Sequence, residues 1–224
     1  MSSLKGRIAR LLSNVAMKRA EIVSVSELGG FSRLLLRCEP SGYEPGTKVQ
    51  LLLPSDDMRT YSPIRAPEGM VLLGWKHAGG PGSRWLASAR AGDEVPFVGP
   101  QRSLALDAAR PAIVVGDETS VAVAAALSSA RPGRVHAVLQ SDAADDVRAA
   151  AESVGLDAFD LVPRADTAAT VRAILAKRST TPDAIVALTG GSELVTAVRD
   201  ALRREGVRDV KTKAYWIPGR TGLD

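Results

Sequence analysis

The chain has 224 residues, 45% of them hydrophobic, which is enough for one large domain or two compact ones with real cores and argues against a disordered chain. One Cys and two His exclude an internal disulfide, a structural zinc site and a cysteine-bound iron–sulfur cluster, so a reducing cytoplasm is the default location. The formal charge of +4 is local: residues 1–20 carry five basic and no acidic side chains, residues 21–108 carry 9 basic and 10 acidic, and residues 109–224 carry 15 of each, a balance that gives no support to a nucleic-acid partner.

In residues 1–20, Ile8, Leu11, Leu12 and Val15 recur at helical spacing among Lys5, Arg7, Arg10, Lys18 and Arg19. This predicts a short basic amphipathic helix, with docking on the body preferred over membrane-surface contact or a targeting role. No stretch approaches the ~18 apolar residues that span a bilayer, so stable membrane insertion is not expected.

From residue 21 to about 108 the runs 21–26, 32–38, 48–53, 58–64, 71–76 and 94–98 read as strands separated by turns such as Gly29-Gly30 and Pro54 to Asp57. Six strands at this spacing predict a small antiparallel barrel, interrupted by one short helix over 83–90 that follows Gly80-Pro81-Gly82. After Pro111 the rhythm changes. Apolar runs at 112–115, 135–139, 158–162, 184–188 and 210–216 alternate with helical stretches at 119–130, 144–154, 167–177 and 192–205. Continuous apolar strands between amphipathic helices predict a parallel sheet covered on both faces. The expected architecture is therefore two domains, an antiparallel β-barrel over 21–108 and an α/β parallel-sheet domain over 109–224.

Ligands of open α/β sheets bind at the carboxyl ends of the strands. Here the first strand ends at Gly116-Asp117-Glu118-Thr119-Ser120, where Asp117 or Thr119 can cap the next helix, and the fourth ends at Thr189-Gly190-Gly191-Ser192. Two such turns suit a dinucleotide, yet any α/β domain needs them, and no G-x-G-x-x-G is present. In the barrel, Arg59 and Tyr61 of the strand over 58–64 share one face while Thr60 and Ser62 share the other. A cation beside an aromatic plate can hold a phosphate and a flat ring, with the helix start at Gly82 and Ser83 supplying further N–H donors. Taken singly, each of these residues also fits an ordinary barrel strand.

The order of the motifs resembles the ferredoxin-NADP reductase superfamily, and more narrowly the siderophore-interacting protein family of FAD-dependent ferric-siderophore reductases. That family carries an R-T-Y-T-V-R strand, an H-G-x-x-G-P-A-S-R-W segment, a G-D-E-T turn and a Y-W-x-x-G-R ending. This chain has Arg59-Thr60-Tyr61-Ser62, His77 through Gly80-Pro81-Gly82-Ser83-Arg84-Trp85, Gly116-Asp117-Glu118-Thr119, and Tyr215-Trp216-Ile217-Pro218-Gly219-Arg220. It departs at Ser62-Pro63-Ile64, which adds a residue before Arg65, at Gly82 for Ala, at Ala122 for a frequent Pro, and at Ile217 for a frequent Arg.

The resemblance implies FAD in the barrel and NADPH or NADH in the α/β domain, with reduction of Fe(III) in a ferric siderophore and release of Fe(II). Arg59 would pair with FAD phosphate, Tyr61 would stack on the isoalloxazine and Ser62 would hydrogen-bond near N5, with Thr60 in the same motif. Gly80, Gly82 and Ser83 would cradle the pyrophosphate and His77 would stand at the mouth of that turn. Asp117, Glu118 and Thr119 would line the nicotinamide side, and Gly190 and Gly191 would admit the dinucleotide. Apart from the resemblance, Lys76, Arg84 and Arg220 are cations that could attract the anionic chelate or phosphate groups, although basic side chains are usually solvated surface. Two alternatives remain open, a general NAD(P)H-dependent flavin reductase with a separate protein acceptor, and a non-catalytic ligand-binding module.

Outside these motifs, His136 reads as packing in an apolar strand and Cys38 as a buried, inert thiol. The nicotinamide choice is not legible. The second α/β strand ends at Leu139-Gln140-Ser141-Asp142, read as offering no acid at its tip for a ribose diol and no adjacent Arg pair for a 2′-phosphate.

Overall fold

The structure, a computed structural model, describes residues 17–39, 42–77 and 79–220, in two units of which the first ends at Ser103 and the second begins at Leu104. Residues 1–16 of the predicted N-terminal helix lie outside the described residues. Lys18 and Arg19 are strand rather than helix, since they open β1 (Lys18–Leu28) and pair with Phe97 and Pro96.

β1 turns at Gly29, whose φ of 58° is the left-handed conformation a two-residue hairpin demands, into β2 (Phe31–Arg37). There follow β3 (Thr47–Leu52), β4 (Met58–Tyr61), β5 (Ile64–Ala66), β6 (Gly69–Trp75), α1 (Pro81–Ser88) and β7 (Glu94–Arg102). The strands are antiparallel and bonded in the order β4-β3-β7-β1-β2-β6-β5. Seven strands arise where six were predicted because the run 58–64 is two. Proline has no N–H to give a ladder, so at Ser62-Pro63 the chain leaves its pairing with β3 and resumes with β6. β4 also touches β6, so the two ends of the bonded order meet along this segment and the sheet curls into a barrel. Ile22, Leu34, Leu36, Leu51, Leu72 and Phe97 fill its interior, each 0–1% exposed. Burying each such side chain contributes ~1.5–3 kcal/mol.

The helix α1 starts at Pro81, two residues before the predicted start, because proline suits the first helical position. Gly82 and Ser83 therefore lie inside its first turn. Trp85 and Leu86 face the barrel and are buried.

The second unit comprises β8 (Ala112–Gly116), a 3-10 turn at Glu118–Ser120, α2 (Val121–Ala130), β9 (Val135–Gln140), α3 (Ala144–Ser153), β10 (Phe159–Val162), α4 (Thr167–Thr180), β11 (Ile185–Gly191), α5 (Ser192–Arg204) and β12 (Val210–Trp216). All neighbours are parallel, in the order β10-β9-β8-β11-β12. Right-handed crossovers put α2 and α3 on one face and α4 and α5 on the other, which is why β8 is buried at every position. Strand order reverses between β8 and β11. One boundary differs from expectation: β11 runs on through Thr189, Gly190 and Gly191, which pair with β12 instead of forming a free turn.

Candidate functional site

In the first unit, β4 and the start of α1 bring together residues more than twenty apart in sequence. A Cβ on Gly82 would stand 3.6 Å from the Tyr61 hydroxyl oxygen and 3.7 Å from Cγ and Cδ of Arg59, so the first helical turn lies directly over both side chains. Arg59 is held by its guanidinium. Its Nη1 donates to the Met58 carbonyl at 2.7 Å, Nη2 is 3.6 Å from Asp57 Oδ1, and the side chain is 19% exposed. Tyr61 packs on the barrel core with its ring tilted 55° to Trp85 at a centroid distance of 6.1 Å. Burial pushes its hydroxyl well above the ordinary tyrosine range, against the opposing charge of Arg59, so it stays a neutral donor.

The helix start has Gly80 at the cap with no side chain satisfying the first amides. Amides of a first turn have no intrahelical acceptor and favour an anion. Ser83 contributes its amide to this turn, while its hydroxyl donates to the His77 carbonyl at 2.6 Å and closes the loop below. His77 is exposed, with its ring Cε1 4.0 Å from the position of a Gly80 Cβ. Thr60 is exposed opposite Gln50, and half-buried Ser62 follows β4 directly before Pro63. Two of the expected anion-attracting cations are engaged within the unit. Lys76 pairs with Glu27, and Arg84 donates to the Gly79 carbonyl. Arg220 lies in the other unit, exposed, its amide donating to Ile217 at 3.1 Å. A guanidinium, two helix-start amides and a phenol at one place fit a phosphate joined to a flat ring.

In the second unit the ends of β8, β11 and β12 are tied by Asp117, which is 2% exposed. Its Oδ1 accepts from the Thr119 amide at 2.9 Å and from the Thr119 hydroxyl, and its Oδ2 accepts from the Gly191 amide at 2.8 Å and from Trp216 Nε1 at 2.9 Å. Both oxygens are therefore taken by protein donors, and Asp117 shapes the turn instead of presenting a carboxylate. Gly190 and Gly191 are small for the same reason. A Cβ on Gly190, whose φ is +92°, would lie 2.7 Å from Asp117 Oδ2, and one on Gly191 would lie 2.6 Å from the Trp216 ring. Beneath them Thr189 donates to Ser120 Oγ at 2.8 Å. Glu118 is also buried, accepting from Ser141 Oγ at 2.7 Å and pairing with Arg164.

No family model matches the sequence and no curated protein matches it. Among solved structures, similarity extends over most of the chain. The siderophore-interacting protein SipS of Aeromonas hydrophila superposes with a TM-score of 0.72 at 20% identity, over 92% of this chain and 93% of that one. The ferredoxin reductase of carbazole 1,9a-dioxygenase gives 0.71 at 21% identity, over 90% and 68%. A ferredoxin NADP+ reductase from Neisseria gonorrhoeae with bound FAD and NADP gives 0.69 at 12% identity, over 89% and 99%. The fold is the one these three proteins share. Its two parts, an antiparallel barrel and a five-stranded parallel sheet with helices, are those expected from the sequence.

Several residues escaped the sequence reading. Arg164, at the end of β10, pairs with Glu118 and lies beside Asp142. His136 is more than packing, since its Nε2 lies 2.9 Å from Asp160 Oδ2 on the neighbouring strand. Cys38 is only half-buried, its sulfur 3.0 Å from the Tyr43 hydroxyl. Trp216 is anchored by its indole N–H yet 37% exposed. No local pattern marks the pairings of Arg164, His136 and Trp216, because each is set by the strand order, whereas Cys38 and Tyr43 meet only five positions apart in the chain.

Proposed function

We propose that the chain is an FAD-dependent oxidoreductase that takes electrons from NADH or NADPH and reduces Fe(III) in a ferric siderophore, releasing Fe(II). The observation that carries this reading is the convergence of Arg59, Tyr61 and the Gly82 turn in the first unit, within a fold shared with SipS and with a reductase that binds FAD and NADP. Bound FAD would accept two electrons from a nicotinamide and pass them on singly, which is what joins a hydride donor to a one-electron ferric acceptor.

The chain's own residues would hold and orient the partners. Arg59, braced by Asp57, binds a phosphate oxygen, and the amides of Gly82 and Ser83 bind its neighbour. Tyr61, fixed against Trp85, supplies a flat neutral surface and a donor beside it. Ser62 offers a hydroxyl where the chain leaves β4, and His77 and Gly80 border the loop. In the second unit the crevice at the ends of β8 and β11 takes the dinucleotide, its floor set by Asp117, Thr119, Gly190 and Gly191. In this reading the iron arrives in its chelator, which keeps the metal's ligands, so electron transfer to it asks for no metal-binding cluster from the chain.

The test is a visible spectrum of the purified protein, before and after added FAD, then with anaerobic NADH or NADPH, then with a ferric siderophore. A flavin spectrum that bleaches with the nicotinamide and recovers with the ferric chelate is expected. A protein that stays colourless with FAD refutes the reading, and bleaching that only a protein acceptor or a quinone reverses replaces the siderophore with another acceptor.

A further inference from the structure

The tip of β9 carries an acid after all. β9 ends at Gln140, and Asp142 follows in the turn with its side chain 71% exposed. This is the second strand of a βαβ unit, where an acidic residue ~20 residues past the first turn binds the 2′-hydroxyl of an adenosine ribose, while a nearby Arg takes a 2′-phosphate. Both residue types stand here, so their surroundings decide.

The loop after β10 is fastened onto this tip. The Arg164 amide donates to Asp142 Oδ1 at 3.1 Å, the Ala165 amide to Gln140 Oε1 at 3.1 Å, and the Ser141 amide to the Val162 carbonyl at 3.0 Å. The Arg164 guanidinium is turned back to Glu118, whose side chain is 2% exposed, and its Nε lies 3.9 Å from Asp142 Oδ2. Apart from Arg164, the Glu118 carboxylate takes a hydrogen bond from Ser141 Oγ at 2.7 Å. Drawing the guanidinium onto a phosphate would strip a buried carboxylate of its counter-charge, which is unfavourable. The two acids also outnumber the one cation, so a dianionic 2′-phosphate would meet a net negative tip, whereas a neutral 2′-hydroxyl can donate to Asp142.

We infer that the second unit selects NAD(H) over NADP(H), with Asp142 as the ribose-binding and discriminating residue and the Glu118–Arg164 pair withholding the guanidinium from a 2′-phosphate. This rests on the dinucleotide site proposed above. Calorimetric titration of the purified protein with NAD+ and with NADP+ tests it without turnover. NAD+ is expected to bind at least about tenfold more tightly, the fold-change equivalent to ~1.4 kcal/mol of like-charge conflict. Asp142→Ser, a change at an exposed side chain, is expected to narrow that gap to about threefold or less by weakening NAD+ and relieving NADP+. Equal or tighter binding of NADP+ by the parent, or an unchanged gap in Asp142→Ser, overturns the selectivity while the dinucleotide site stands. Failure of both dinucleotides to bind the parent overturns the site and the selectivity together.

Discussion

Removing the carboxylate of Asp117 should cripple the second unit whether or not any ligand is present. Asp117→Ala leaves the buried Gly191 amide and the part-buried Trp216 Nε1, now 2.8 and 2.9 Å from the Asp117 carboxylate, without that acceptor. At ~1–3 kcal/mol for each orphaned donor, and with the Thr119 amide better able to find water, the loss is about 4 kcal/mol. For a unit of this size that is a fall of ~15 °C in Tm. Trp216→Phe removes one donor and leaves the carboxylate its other three bonds, so ~1–2 kcal/mol is expected. Because the two changes share one hydrogen bond, the double variant should cost about 1 kcal/mol less than the sum. Differential scanning calorimetry of the full chain, free of nucleotide and flavin, reads all three. An Asp117→Ala melting within ~3 °C of the parent, or a Trp216→Phe loss as large as that of Asp117→Ala, would refute the view that this carboxylate is a tie between strand ends.

Gly190→Ala should destabilise the same unit by about 2 kcal/mol or more, since a Cβ would meet Asp117 at 2.7 Å on a backbone with φ of +92°; urea unfolding measures it. With Arg59 binding an FAD phosphate as proposed, Arg59→Ala should weaken FAD binding by ~10- to 100-fold with little change in Tm, because a charge-assisted bond of ~1.5–3 kcal/mol would go while the barrel core stays; flavin-fluorescence titration checks this. Gln140→Ala should cost ~1–3 kcal/mol, because the 3% exposed amide holds Thr170 Oγ1 at 2.7 Å and the Ala165 amide; thermal unfolding reads it. Tyr43 and Tyr61 both have hydroxyls raised above their unfolded values, each chiefly by burial. A folded-state value above the unfolded one keeps its stabilisation in full below the unfolded value of ~10 and loses it as pH rises further, so stability should drop above pH ~10. Absorbance at 295 nm should show two of the three tyrosines ionising only as the protein unfolds.

Most of the architecture was legible because the period of the apolar pattern changes at Pro111, from short interrupted runs to long apolar strands separated by amphipathic helices. What was missed turned on single residues or on topology. Pro63 splits one apparent strand because a missing N–H outweighs a continuous β-forming run, and β11 outlasts its apolar residues because Gly190 and Gly191 can pair with Ala214 and Trp216. The grouping of Arg59, Tyr61 and Gly82 could be anticipated from a motif, whereas the bond between Asp117 and Trp216 spans 99 positions and the pair of Arg164 with Glu118 spans 46. Such partners follow only from a strand order of β10-β9-β8-β11-β12.

The two-residue link at Ser62-Pro63 also bears on how copies of this protein behave towards one another. A sheet with seven antiparallel strands would ordinarily end in two rows of unsatisfied peptide groups, each a template on which a neighbouring chain can add a strand. Here the terminal strands β4 and β5 are consecutive in the chain, only four and three residues long, and lie along the same neighbour, β6. Neither offers a long flat margin, and Pro63 sits between them with no amide to lend. The interruption that costs the ladder a bond thus guards the barrel against edge-to-edge aggregation.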